Sequence, residues 1–160
     1  TEEVFEMFKD APEDPMDYFR DISTFGGCTA GPAAAIENMA IIEEEGLLAN
    51  TTRMGARLMH NLRDLQERHA VIGDVRGKGL FAGAELVADL TTKEPAEEKR
   101  VQAVVADCMK QGVIVGATNR SVPGFNNTLC FSPALIATEA DIDTLTDALD
   151  GALQRVFGVA

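Results

Sequence analysis

The stretch VIGDVRGKGLFAGAELVAD, residues 71–89, decides the fold. Glycines at 73, 77, 79 and 83 punctuate residues of β type, and Glu85 alternates with apolar neighbours. That pattern predicts a turn and then a strand from Leu80 to Val87. Glu85 is expected to face solvent or to pair with Arg76. A dinucleotide fingerprint would follow a strand and open a helix, and a P-loop spaces its glycines and lysine differently. The glycines therefore read as a turn between core elements, not as a phosphate cradle.

On the N-terminal side of this stretch the apolar spacing is helical. Ile36, Met39, Ala40 and Ile42 share one side from Ala33 onward, and Met54, Leu58, Leu62 and Leu65 continue the period. Gly46, after three glutamates, predicts an interruption, so a long helix or a kinked helical pair should end before His69. Upstream, Val4, Phe5, Met7 and Phe8 suggest the end of a helix, and DAPEDPMDYF, residues 10–19, reads as an exposed loop.

On the C-terminal side, Pro95 fits the first turn of a helix with an i, i+3, i+4, i+7, i+8 stripe of Val101, Val104, Val105, Cys108 and Met109. Gly112 should stop it. VIVG, residues 113–116, reads as a short buried strand, TNRSVPGFNN as a polar loop and TLCF as a further strand. Thr138 with Asp141 predicts a capping box. The helix it opens should bury Ile142, Leu145, Leu149, Leu153 and Val156. The order helix, strand, helix, strand, strand, helix implies an α+β fold with a small sheet and helices on one face.

With 160 residues and 46% hydrophobic content, the chain supports one domain with a core. No apolar run approaches the roughly 20 residues of a membrane helix. The acidic first residues are not a signal peptide. They also lack a starting methionine, so the chain reads as cut from something longer. A formal net charge of −12 disfavours nucleic acid and anionic membranes as partners. Cys28, Cys108 and Cys130 show no metal-ligand spacing, and only His60 and His69 could add to them, so no metal site is expected. Reduced thiols fit a cytoplasmic protein. His60 and His69 are expected to face solvent or cap a helix, and Cys108 to lie in the core.

One stretch asks for more. In DISTFGGCTAGPAAA, residues 21–35, the hydroxyls of Ser23 and Thr24 precede Gly26 and Gly27, and an alanine-rich helix begins near Pro32. Such an arrangement serves either a plain helix start or an anion, to which it offers Oγ and free backbone N–H groups.

STFGGCTAGPAAAIENMAIIEEEGLL, IGDVRGKGLFAGAELV and LCFSPALIATEADID, in that order, resemble the class III, omega-amino-acid type of pyridoxal-phosphate aminotransferases. The resemblance covers nearly the whole chain. It implies the C-terminal part of a fold-type I enzyme, homodimeric or tetrameric. Residues 1–31 would be the tail of a missing cofactor domain with an interface loop, and residues 32–160 the small domain with its long N-terminal helix. It further implies that Thr24 holds the phosphate of the partner subunit's pyridoxal 5'-phosphate, with Phe25 beside it. The family's Schiff-base lysine matches none of Lys9, Lys78, Lys93, Lys99 and Lys110 and would lie upstream of Thr1, leaving this chain without a catalytic residue or activity of its own.

Departures from the family pattern bear on substrate. Members acting on α-amino acids carry an arginine just before the F-[AS]-P step, where this sequence has Cys130. Losing that partner removes a charge-assisted hydrogen bond of about 1.5–3 kcal/mol from an α-carboxylate. Many pyruvate-dependent members carry an arginine where this sequence has Gly116, and Arg120 in the following loop is the expected reader of the substrate's acid group. The usual GHP step is Gly27, Cys28, Thr29 here. The implied reaction moves an amino group from taurine or a similar omega-amine to pyruvate, a small amine and a keto acid. The alternatives are β-alanine or another omega-amino acid as donor, or a non-catalytic α+β binding module.

Overall fold

The computed structural model describes residues 1–6, 23–119 and 122–158. Two compact units divide it, Thr1–Met39 and Ala40–Ala160. In the first, α1 (Glu2–Glu6) is short and fully exposed. Met7, Phe8 and the 10–19 segment expected as a loop lie outside the described residues. Helix α2 (Ala30–Glu44) begins slightly before the predicted start and has no buried residue, so its apolar side is uncovered among the described residues.

Gly46 then separates α2 from α3 (Leu47–Arg68) with φ 62°, a left-handed conformation that side-chain-bearing residues resist. The helical pair is therefore split where the sequence placed the break. Met54, Leu58, Leu62 and Leu65 are all buried along one side of α3. His69 caps its C-terminus, donating its backbone N–H to Leu65 C=O.

The glycine-punctuated stretch holds two strands where the sequence predicted a turn and one strand. Strand β1 (Ile72–Lys78) pairs antiparallel with β2 (Phe81–Leu86), Lys78 opposite Phe81. The connection is the two residues Gly79 and Leu80, and Gly79 has φ +56°. Glycine at the first central position is the pattern of a type II′ hairpin. A Cβ on Gly55 of α3 would lie 2.4 Å from the Gly79 carbonyl carbon, so bare backbone on both sides lets the hairpin tip settle on the helix. Gly73 and Gly77 lower strand propensity, and they hid β1 in the sequence.

After β2 the chain turns back, and Pro95 bridges Val87 instead of opening a helix. Ala88 N–H donates to Glu94 C=O and Ala96 N–H to Leu86 C=O, so Pro95 stands at the non-hydrogen-bonded position, where its missing N–H costs nothing. Helix α4 (Glu98–Lys110) follows, burying Val101, Val104 and Cys108. Burial pushes the Cys108 thiol pKa up to about 11. Met109, expected on the buried stripe, is exposed.

Gly112, at φ +82°, ends α4 in a Schellman motif: Val113 N–H reaches Cys108 C=O and Gly112 N–H reaches Met109 C=O. That capture takes the Val113 N–H and delays the sheet. Strand β3 is only Gly116–Ala117, not the predicted 113–116, although Val115 is buried. Strand β4 (Thr128–Phe131) matches TLCF. In α5 (Glu139–Phe157), Thr138 Oγ1 accepts from Asp141 N–H and Asp141 Oδ2 accepts from Thr138 N–H, closing the predicted capping box. Ile142, Leu149 and Leu153 are buried, while Leu145 and Val156 pack partly exposed against the core.

The sheet is four-stranded and antiparallel throughout, in the order β1-β2-β4-β3. Alternation sends Ala82, Ala84, Leu86, Leu129 and Phe131 to the face covered by the helices. Two polar clamps bind the helices to one another. Arg57 of α3 grips Asp143 of α5 through Nε (2.8 Å) and Nη2 (2.6 Å). Arg155 of α5 grips Asp107 of α4 through Nε and Nη2 at 2.9 and 2.6 Å. Each guanidinium holds its carboxyl below the usual range. His69 is buried rather than solvent-facing, its Nε2 2.5 Å from Asp150 of α5.

Candidate functional site

Residues 23–28 form two overlapping turns. Gly26 N–H donates to Ser23 C=O at 2.9 Å and Cys28 N–H to Phe25 C=O at 3.1 Å. Thr24 is exposed, and Phe25 stands 85% exposed beside it. Gly27 has φ +81°, which folds the second turn tightly back toward α2. From residue 23 to residue 36 no side chain carries a charge, in a chain whose net charge is −12. The N-terminus of α2 follows directly, and Ala33 N–H donates to Thr29 C=O in its first turn. An exposed hydroxyl, a helix N-terminus and the local absence of carboxylates make this turn compatible with an anion.

A second group of singled-out residues meets on the sheet. Gly116 and Cys130, the two departures from the family's arginine positions, are direct cross-strand partners. Cys130 also pairs with Gly83, and Gly83 with Arg76. The four residues form one row across the face opposite the helices. Arg76 Nη1 lies 2.6 Å from Asp74 Oδ2 and 3.0 Å from Glu85 Oε2, so the expected Arg76–Glu85 pair is present with a second carboxylate joined to it. Sequence reasoning missed Asp74. Its signal was the i, i+2 spacing to Arg76, which puts both on one face of a strand.

A hollow of about 450 Å³ opens beside this row between Arg76, Glu85, Thr118, Val122 and Phe125. Two hydrogen bonds close the base of the 118–128 excursion. Thr118 N–H donates to Thr128 C=O, and Thr128 N–H donates to Thr118 Oγ1. Asn127, buried and also missed in the sequence, donates through Nδ2 to Leu86 C=O at 2.6 Å, while its own C=O accepts from Leu86 N–H. Arg120, the expected reader of an acid group, lies outside the described residues. His60 is exposed beside Asp64, and no cluster of metal-ligating side chains occurs among the described residues. None of the described helices is long and apolar enough to cross a membrane.

The aminotransferase class-III family pattern matches residues 5–153. The hypotaurine/taurine–pyruvate aminotransferase of Paracoccus denitrificans is 74% identical over 157 residues, which are 98% of this chain and 34% of that protein. The taurine–pyruvate aminotransferase of Rhodobacter capsulatus is 72% identical over 156 residues, again 34% of its length. Among solved structures, a Bacillus anthracis aminotransferase superposes with a TM-score of 0.81 at 37% identity, over 96% of this chain and 34% of that one. The chain thus spans about a third of the relatives it matches, along nearly all of its own length. With an antiparallel α+β fold shared with a solved aminotransferase and a family match over 149 of 160 residues (5 to 153), the chain belongs to the class III aminotransferases.

Proposed function

We propose that this chain works as part of a longer pyridoxal-phosphate aminotransferase polypeptide, moving an amino group from taurine or a similar omega-amine to pyruvate. The observation that carries this reading is 74% identity to a hypotaurine/taurine–pyruvate aminotransferase across 98% of the chain. When bound, pyridoxal phosphate supplies an electron sink that eases loss of a proton from the carbon bearing the amine. The chain's own part lies at the rim of the pocket. Thr24 Oγ and the Thr24 backbone N–H hold the cofactor phosphate of a neighbouring subunit, and Phe25 packs at the mouth of that site. The exposure of Thr24 and the lack of charge from 23 to 36 support this. Arg120 reads the substrate's acid group, which a planar, permanently charged guanidinium suits. The lysine that links the cofactor lies in the remainder of the polypeptide, and the assembly is a homodimer or tetramer in the cytoplasm.

The test is the intact polypeptide assayed with pyruvate and either taurine or β-alanine. Turnover of taurine with visible cofactor absorbance is expected. Arg120→Ala should raise KM for the donor more than it lowers kcat, and unchanged kinetics for both donors would remove Arg120 from acid-group recognition. Thr24→Ala should weaken cofactor retention, read as absorbance lost on dialysis. A preference for β-alanine would reassign the donor within the same chemistry.

A further inference from the structure

A polar side chain that the fold buries just ahead of β4 has a use beyond stability. Asn127 is 3% exposed, and a buried amide is costly unless its hydrogen bonds are made. Its Nδ2 donates to Leu86 C=O at 2.6 Å, while its backbone C=O accepts from Leu86 N–H at 2.8 Å. One residue thus grips both polar groups of Leu86, through side chain and backbone at once. Leu86 is fully buried at the end of β2, so the grip is anchored in the core. The Leu86 carbonyl also accepts from Ala96 N–H at 3.0 Å, so it is satisfied without the amide. What the Asn127 side chain adds is a fixed point where the 118–128 excursion returns to the sheet. We propose that Asn127 is a positioning residue for recognition of the substrate's acid group, holding the frame from which Arg120 acts. This rests on the reading above of Arg120 as the acid-group reader.

Neighbouring contacts fix the same short arm. Asn126 Nδ2 donates to Glu98 Oε2 of α4 at 3.3 Å. Phe125 N–H donates to Val122 C=O at 2.9 Å, and Gly124 at φ +86° lets that turn close. At the other end Thr118 N–H donates to Thr128 C=O at 2.9 Å, and Thr118 Oγ1 accepts from Thr128 N–H at 3.2 Å. In the sequence Arg120 follows Thr118 by two residues and precedes Asn127 by seven. Anchors this close on both sides restrict where the guanidinium can act, and recognition by a planar fork depends on its placement. Asn127 is buried and uncharged, so its influence on an acid group runs through Arg120.

The experiment is a double-mutant cycle in the intact polypeptide, with taurine as donor and pyruvate as acceptor. Asn127→Ala should raise KM for taurine on the order of tenfold and lower kcat by less than about twofold. In the Arg120→Ala background the same change should leave KM where Arg120→Ala alone puts it. Thr146→Ala is the control for lost buried polarity. Thr146 is 5% exposed on α5, bonded within that helix and to Asn61 of α3, and its loss should leave KM unchanged. Effects on KM that multiply in the double variant overturn the positioning role, as does an Asn127→Ala polypeptide with lower kcat and unchanged KM. If Arg120→Ala raises KM and Asn127→Ala does not, the inference fails and the reading of Arg120 stands. If Arg120→Ala leaves KM unchanged, the reading of Arg120 fails and takes the inference with it. A polypeptide that turns over neither taurine nor β-alanine removes the proposed reaction itself. If Asn127→Ala does not fold, Thr118→Val takes its place with the same expectation, because it removes the hydroxyl that accepts from Thr128 N–H.

Discussion

Phe131 and Phe81 stand on adjacent strands of one sheet and live in different worlds. Phe131 is 2% exposed beneath the helices, while Phe81 is 73% exposed on the opposite face. The difference is set by alternation: Phe131 lies opposite Ala82, one residue along β2 from Phe81. One side of the sheet is a finished core with leucines from two helices, a bidentate clamp at each helix pair and a buried Cys108. The other carries glycines, one thiol and the exposed Phe81 beside the Asp74–Arg76–Glu85 cluster and Lys78.

The largest break in that comparison comes from Phe131→Ala. The side chain touches the fully buried cluster, and its loss should cost about 3–5 kcal/mol, read as a lower urea midpoint with an unchanged m-value. A change in m instead would mean that the two faces do not unfold together.

Gly79→Ala strikes at the hairpin joining β1 and β2, whose tip rests on α3. An alanine there must hold φ +56°, and its Cβ would come 2.9 Å from Thr51 Cγ2 of α3. The expected cost is about 1–2 kcal/mol by thermal unfolding. The same substitution at Gly116, where φ is not positive and the nearest contact is 3.3 Å, should cost less. Equal costs would mean that the hairpin tip does not press on α3.

How much of this was legible follows from which residues repeat. The helix stripes, the Gly46 break, the Gly112 stop and the Thr138–Asp141 box were readable, because each is local and carries its own chemistry. Strand β1 was not: two of its seven residues are glycine, and its alternation surfaces only once Gly79 is seen to make a two-residue turn. The exposed turns around Thr24 were marked by composition. The pairing of Gly116 with Cys130 was out of reach, because it depends on register, and register depends on how the Schellman motif at Gly112 spends the Val113 N–H. Arg120 was singled out from sequence and lies outside the described residues.

A pH series sharpens the comparison from the clamped side. Hydrogen bonds from Arg155 and Arg57 depress Asp107 and Asp143, and at Asp150 the bonds from Arg68 and His69 outweigh the opposing effect of burial. A carboxyl whose folded pKa lies below its unfolded value stabilises the fold above that unfolded value, near 3.9. The contribution fades as pH falls from there through the folded pKa. Acid titration of stability should therefore fall steeply below about pH 4, and Asp143→Asn should flatten that limb while lowering stability at neutral pH. A parallel curve for Asp143→Asn would show that the α3–α5 clamp contributes nothing measurable.

The smallest effect is the most telling. Phe81→Ala removes an aromatic ring that this chain leaves mostly in water, so chemical denaturation of the 160 residues alone should shift by no more than about 0.5 kcal/mol. The same change in the intact polypeptide should cost more, because the ring would then leave a packed contact behind. The ratio of the two costs measures how far the face opposite the helices is covered. Phe131→Ala supplies the reference, since its surroundings are already closed within this chain and its cost should be the same in both settings. If Phe81→Ala also costs the same in both, that face stays open to water in the whole protein.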